Sequence, residues 1–148
     1  MEKYMRYVNS LAIDNVVNNG QPFGACIIHN GKIIAEGVNE THLYMDVSAH
    51  AEMIAIRKAQ IVLNTYDLSE CVLVASGHPC AMCLGAIGFT NIKTVYYGND
   101  LDEAKVVGLG LSLDIYDYIK GINNEIGLEM KQLKVDGTDP MKYFKDNG

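Results

Sequence analysis

Two short motifs limit what this chain can fold into more than anything else in it. His50-Ala51-Glu52 and Pro79-Cys80-Ala81-Met82-Cys83 lie 30 residues apart, and each is expected to sit at the start of a helix. Cys80 and Cys83 are three residues apart, so one helical turn presents both sulfurs to the same point. If His50 shares that point, the fold must bring two helix N-termini together. Those termini carry partial positive charge, which favours thiolates over thiols.

The hydrophobic pattern supplies the elements around that junction. Tyr4, Met5, Val8, Leu11, Ala12 and Val16 follow a helical period that Asn18-Asn19-Gly20 stops. Gly24 to His29 and Lys32 to Gly37 read as two strands joined by a type I′ turn at Asn30-Gly31. Residues 39 to 47 read as a loop, and Ser48 as the N-cap of a helix running to about Leu63. Cys71 to Ala75 is a buried strand, Cys80 to Phe89 a helix entered next to Pro79, and Lys93 to Tyr97 a further strand. Residues 101 to 110 read as a loop with a solvated acidic cluster, and Leu111 to Ile122 as a helix. Leu128 to Val135 is expected as a fifth strand, and Asp139 to Lys145 as a short helix with Pro140 at its first position. Strands alternating with helices give an α/β fold, a three-layer α/β/α sandwich on a central mixed five-stranded sheet. Its 148 residues form one domain, 1–148, with no repeat or linker.

Composition narrows the partners. The chain carries 12 Lys+Arg against 18 Asp+Glu, a formal charge of -6, which speaks against tracking a nucleic-acid backbone. No run of apolar residues reaches a membrane span, and the N-terminal MEKYMRYVNSLAID lacks an apolar signal core. A cytoplasmic protein acting on a small molecule is the expectation. In that setting Cys80 and Cys83 read as metal-binding or redox-active, and Cys26 and Cys71 as core thiols.

One imidazole and two thiolates give three protein ligands for one zinc ion per chain, leaving the fourth tetrahedral position for a catalytic water. Two thiolates cancel the charge of the ion, so the water is less acidified than on a three-histidine site and needs a protein base. Glu52, two residues beyond His50, is placed to be that base and to deliver the protons onward. A closed structural site completed by His78 is the alternative, with Glu52 then an ordinary helix residue. A Cys-x-x-Cys redox motif lacks the element order and the aromatic residue that such motifs carry.

At these residues the chain resembles the zinc-dependent cytidine and nucleobase deaminase superfamily, whose H-x-E…P-C-x-x-C signature it carries. The similarity is widest with the bacterial guanine deaminases of that superfamily. It runs from Pro22-Phe23-Gly24-Ala25 through the Asn30 to Asn39 hairpin, Ala49-His50-Ala51-Glu52 and Ala55 to Ala59, and on over Pro79 to Ile87. The resemblance implies hydrolytic deamination of a guanine-like base with release of ammonia. It also implies that Asn39 hydrogen-bonds the base, donating to a ring carbonyl or nitrogen and accepting from a ring N–H. The Ala51 amide would contact the substrate carbonyl, Phe23 would shape the pocket, and the protein would form a homodimer.

The chain departs from those guanine deaminases in three places. Leu111 or Ser112 stands where they carry an acidic residue that reads the guanine amino edge, with Asp114 displaced by a small insertion. The C-terminus ends Lys145-Asp146-Asn147-Gly148 rather than in a pocket-closing aromatic residue, and His78 replaces the usual Glu before Pro-Cys. These changes leave the zinc chemistry intact and open the substrate: modest guanine deamination is expected, with cytosine, isocytosine or an aminotriazine as alternatives. A tRNA adenosine deaminase shares the metal motif but calls for a basic groove.

Overall fold

The apolar runs on either side of Asn30-Gly31 fold back on each other as β1 (Gly24–His29) and β2 (Lys32–Val38). Both turn residues have positive φ, 51° and 72°, the pair of angles a type I′ turn demands. The computed structural model describes residues 1–134 and 140–147. On its other edge β1 pairs antiparallel with β3 (Cys71–Gly77), which pairs in parallel with β4 (Thr94–Asn99). Among the described residues the result is an α/β fold on a mixed sheet of four strands, ordered β2-β1-β3-β4.

Alternate residues of the strands enter two separate cores, as the period of a pleated strand requires. Ala25 and Ile27 of β1 and Leu73 and Ala75 of β3 pack with Ala51, Ala55, Ile56 and Ala59 of α3 (Ala51–Leu63). Cys26, Ile28 and Val74 pack instead with Val8 of α1 (Glu2–Val17). The two helices therefore lie against opposite faces of the sheet. The helix α1 ends where the sequence stops it, with Asn19 at φ 66° ahead of Gly20.

Gly37 fixes how closely β2 passes the start of α3. A Cβ there would stand 2.5 Å from the Ala51 carbonyl oxygen and 2.9 Å from Ile54 Cβ, a separation no side chain tolerates. This contact holds the turn carrying His50 and Glu52 against the sheet.

Four sequence expectations are corrected. Ser48 does not cap α3: His50 occupies the N-cap, and the Ser48 N–H and hydroxyl both donate to Asp46 Oδ1, at 2.8 and 2.7 Å. The Asp46 side chain closes this Asx turn, and the Ser48 hydroxyl oxygen accepts from Arg57 Nη2 at 3.0 Å rather than from an N–H of the helix. Residues 39–47 are not all loop, since Thr41–Tyr44 form a single helical turn, α2.

Residues 101–110 contain a helix, α5 (Leu101–Val106), after α4 (Ala81–Phe89) and β4. Its acidic cluster is a capping box. Asp100 Oδ1 accepts from the Glu103 N–H at 2.8 Å, and the Asp100 N–H donates to Glu103 Oε2 at 2.7 Å.

The fifth strand expected over Leu128–Val135 does not form over its described residues, 128 to 134; Val135 lies outside them. The apolar residues switch from the even positions, Leu128 and Met130, to the odd position Leu133, so no face of a strand is continuously apolar. All three are exposed, with no ladder partner beside them. Beyond α6 (Leu111–Ile119), α7 (Pro140–Asn147) begins at its proline as expected. Among the described residues no helix is long and apolar enough to cross a membrane.

Candidate active site

The N-termini of α3 and α4 meet. His50 is the N-cap residue of α3 and Cys80 that of α4, and both have extended backbone angles that turn the chain into its helix. Cys80 Sγ lies 3.5 Å from His50 Nδ1 and 3.5 Å from Cys83 Sγ, and Cys83 Sγ lies 3.6 Å from His50 Nδ1. Ligands at the usual zinc–sulfur and zinc–nitrogen lengths on a tetrahedron stand about 3.6–3.8 Å apart. The triangle of donor atoms thus has the size of one face of a zinc site, and no fourth His, Cys, Asp or Glu joins it among the described residues.

The thiols bear the electrostatic imprint of the arrangement. Donation from Cys83 and His50 and the Cys83 N–H draws the Cys80 thiol down to about 4, against the opposing effect of its burial. Cys83, buried and facing that thiolate and Glu52, is pushed upward for the same reason. The hydrogen bond to Cys80 also raises His50. The Cys83 S–H and the His50 N–H both face the Cys80 sulfur, and a dication would be held by the same three atoms without those protons.

Glu52 stands in the first turn of α3, only 6% exposed, with Oε2 3.5 Å from Cys83 Sγ. Burial raises its carboxyl above the ordinary range, the direction that suits a group that must both accept and release a proton.

The other expected site residues gather beside this centre. Asn39 follows β2 and is 1% exposed; its N–H donates to the Phe23 carbonyl at 3.1 Å. The next N–H, of Glu40, donates to the Ala49 carbonyl at 2.9 Å, tying the loop to the residue before His50. The Phe23 ring packs on the α3 side of the sheet and covers Gly77, three residues before Cys80. Ala51 is fully buried at the first position of α3, where a backbone N–H has no intrahelical acceptor.

The expectation for Asn39 is corrected in one respect. Its Oδ1 already accepts from the Thr41 N–H at 3.2 Å and the Thr41 hydroxyl at 2.9 Å. A backbone N–H can only donate, so the oxygen's place is fixed and both its lone pairs are used. Its Nδ2 donates to the Gln21 Oε1 at 3.4 Å, a long hydrogen bond that leaves it the more available end of the amide among the described residues. The loop is latched from below by Asn15 of α1. Its Nδ2 donates to the carbonyls of Gln21 at 2.8 Å and Asn39 at 2.9 Å.

His78 does not close the metal site. Its Nδ1 bonds the Pro79 carbonyl at 2.8 Å, and its ring packs edge-on against Tyr97. Tyr116, on α6, donates to the same carbonyl at 2.7 Å. Burial, and then the charges of Cys80, Cys83 and Glu52, push the Tyr116 hydroxyl up to about 12. Nothing in the spacing pointed to Tyr116, Thr41, Gln21 or Asn15. Their roles arise from loops that touch only in the folded chain.

Comparison with known proteins agrees with this geometry. Residues 1–99 match the family model of the cytidine and deoxycytidylate deaminase zinc-binding region. A guanine deaminase of Bacillus subtilis is 44% identical over 108 residues, covering 72% of this chain and 69% of the relative. A tRNA-specific adenosine deaminase of Haemophilus influenzae is 33% identical over 120 residues, covering 80% of this chain and 68% of the relative. The X-ray structure of guanine deaminase from Bacillus subtilis superposes with a TM-score of 0.90 at 36% identity, over 99% of this chain and 94% of that one.

Proposed function

The chain belongs to the cytidine and deoxycytidylate deaminase family, and from that premise we propose that it is a zinc-dependent hydrolase that removes an exocyclic amine from guanine or a guanine-like base. The observation that carries the reading is the donor triangle of His50, Cys80 and Cys83 with a buried carboxyl, Glu52, against one corner. A zinc ion held there supplies Lewis acidity to one water molecule. Glu52 takes a proton from the attacking water as the C–O bond forms. It gives that proton to the ring nitrogen, then takes the second proton from the newly formed hydroxyl and passes it to the departing amine, so that the C–N bond breaks to leave an oxo base and ammonia.

Asn39 Nδ2 donates to an acceptor on the base, a carbonyl oxygen or an unprotonated ring nitrogen. Such acceptors are what guanine, isocytosine and cytosine present; a ring N–H would meet no acceptor at Asn39. The Ala51 N–H supplies a second donor and the Phe23 ring an apolar wall. Similarity to the guanine deaminase supports guanine among these bases, and the net charge of -6 weighs against a tRNA substrate.

The same reading carries a homodimer and a cytoplasmic location. Phe89 of α4 at 91% exposure and Phe144 of α7 at 71% support a partner surface, and the four unpaired cysteines support a reducing compartment. Sedimentation of the zinc protein tests the dimer. Ammonia release by that protein over guanine, isocytosine, cytosine, aminotriazines and an adenosine-34 tRNA stem-loop tests the substrate. Guanine or a smaller oxo-amidine is expected to be processed, and turnover of the RNA alone would overturn the reading.

A further inference from the structure

The carbonyl of Pro79 accepts from two side chains, Tyr116 and His78, and it belongs to the peptide unit that delivers Cys80. Tyr116 Oη–H donates to it at 2.7 Å and His78 Nδ1 at 2.8 Å, so both of its lone pairs are used. A carbonyl only accepts, so His78 carries its proton on Nδ1. The imidazole is held in turn. Its ring centroid lies 4.7 Å from that of Tyr97 at 68°, and 5.8 Å from that of Tyr116 at 83°. The His78 backbone N–H donates to the Asn99 carbonyl, at the end of β4, at 2.8 Å.

A peptide unit is planar, so fixing its oxygen fixes the direction of the bond leading into Cys80. Proline already locks its own φ. With Pro79 buried and its carbonyl held from two sides, Cys80 has little freedom left in where its sulfur stands.

On the metal-site reading above, we propose that Tyr116 and His78 are positioning residues that clamp the Pro79 carbonyl and so hold Cys80 Sγ in the donor triangle. The clamp brings α6, which lies beyond the residues 1–99 matched by the family model, into the metal centre. Tyr116 touches neither metal nor substrate in this role. It acts through one backbone oxygen.

The test compares the wild-type protein with Tyr116→Phe, His78→Leu and His78→Asn, each loaded with zinc or cobalt(II). Zinc release to a chelator and the sulfur-to-cobalt charge-transfer band are read beside kcat, KM and the melting temperature. Tyr116→Phe keeps the ring and loses only the donor. It should release zinc about 10-fold faster or more, shift or broaden the cobalt band, and lower kcat with KM little changed. His78→Asn retains an N–H at the position of Nδ1 and should release zinc close to the wild-type rate, whereas His78→Leu should behave like Tyr116→Phe. A wild-type release rate and cobalt band in Tyr116→Phe would overturn the clamp, as would equal behaviour of the two His78 variants. Absence of a thiolate-to-cobalt band in the wild-type protein would overturn the metal reading itself.

Discussion

Glu52→Gln is the sharpest test of the chemistry because it changes one atom. The amide fills the same space against Cys83 Sγ, 3.5 Å away, but cannot carry a proton. A single positioned acid–base group contributes ~10²–10⁴-fold to a rate. In the proposed mechanism one carboxyl serves the water, the ring nitrogen and the amine, which places the loss at the top of that range. A fall of ~10⁴-fold in kcat/KM, or ~5 kcal/mol of transition-state stabilisation, is expected with zinc content unchanged.

A second readout runs the opposite way. Burial holds the Glu52 carboxyl above the ordinary range, so the folded chain binds that proton more tightly than the unfolded chain does. Its ionisation therefore opposes folding as pH rises from the ordinary glutamate range through the folded value, and has no effect below both. Chelator-treated Glu52→Gln should melt higher than chelator-treated wild type at neutral pH and converge with it in acid. Ammonia release on zinc-replete protein and calorimetry on metal-free protein check the two arms. A zinc-replete variant retaining more than about a tenth of wild-type kcat/KM would refute the single-carboxylate argument.

Cys83→Ala should lose most of its zinc by elemental analysis and all measurable turnover, because a fully buried corner of the donor triangle is removed. Asn39→Asp keeps the acceptor for Thr41 and loses the Nδ2 donor, so kcat/KM should fall on every accepted base by about 1–3 kcal/mol with zinc retained; activity near wild type would restore the acceptor role. Gly37→Ala forces a methyl against the Ala51 carbonyl and should cost about 1–3 kcal/mol by thermal melting, with zinc occupancy lowered alongside. Asp100→Ala removes half of the α5 capping box and should lower the melting temperature by about 2–4 °C while leaving kcat unchanged.

The metal half of the site was readable from the chain because its residues are local. Three-residue spacing on one helix and two-residue spacing on another are enough to place His50, Glu52, Cys80 and Cys83. The helices other than α2 and α5, and the hairpin, were readable for the same reason, through periodicity and the Asn30-Gly31 pair. The capping box at Asp100 and Glu103 was equally local and was passed over, because two glycines further on outweighed it. What the chain could not declare was pairing between distant loops. Thr41 decides which atom of Asn39 is free, and Tyr116 reaches a carbonyl 37 residues away. The strand expected from residue 128 failed because strand propensity supplies no ladder partner.

Asn15 divides the site into two inheritances. The donor triangle is built on the starts of α3 and α4, whereas the carbonyls of Gln21 and Asn39 hang from a side chain on α1, across the sheet from α3. Gly20 leaves that amide its space, since a Cβ there would stand 2.4 Å from Asn15 Nδ2. On the proposed function, a change at Asn15 or in the packing of α1 acts first on the loop that carries Asn39, and reaches the metal donors only through the hydrogen bond from Glu40 to Ala49. On that proposal, substitutions on the far helix act on substrate choice before they act on the reaction.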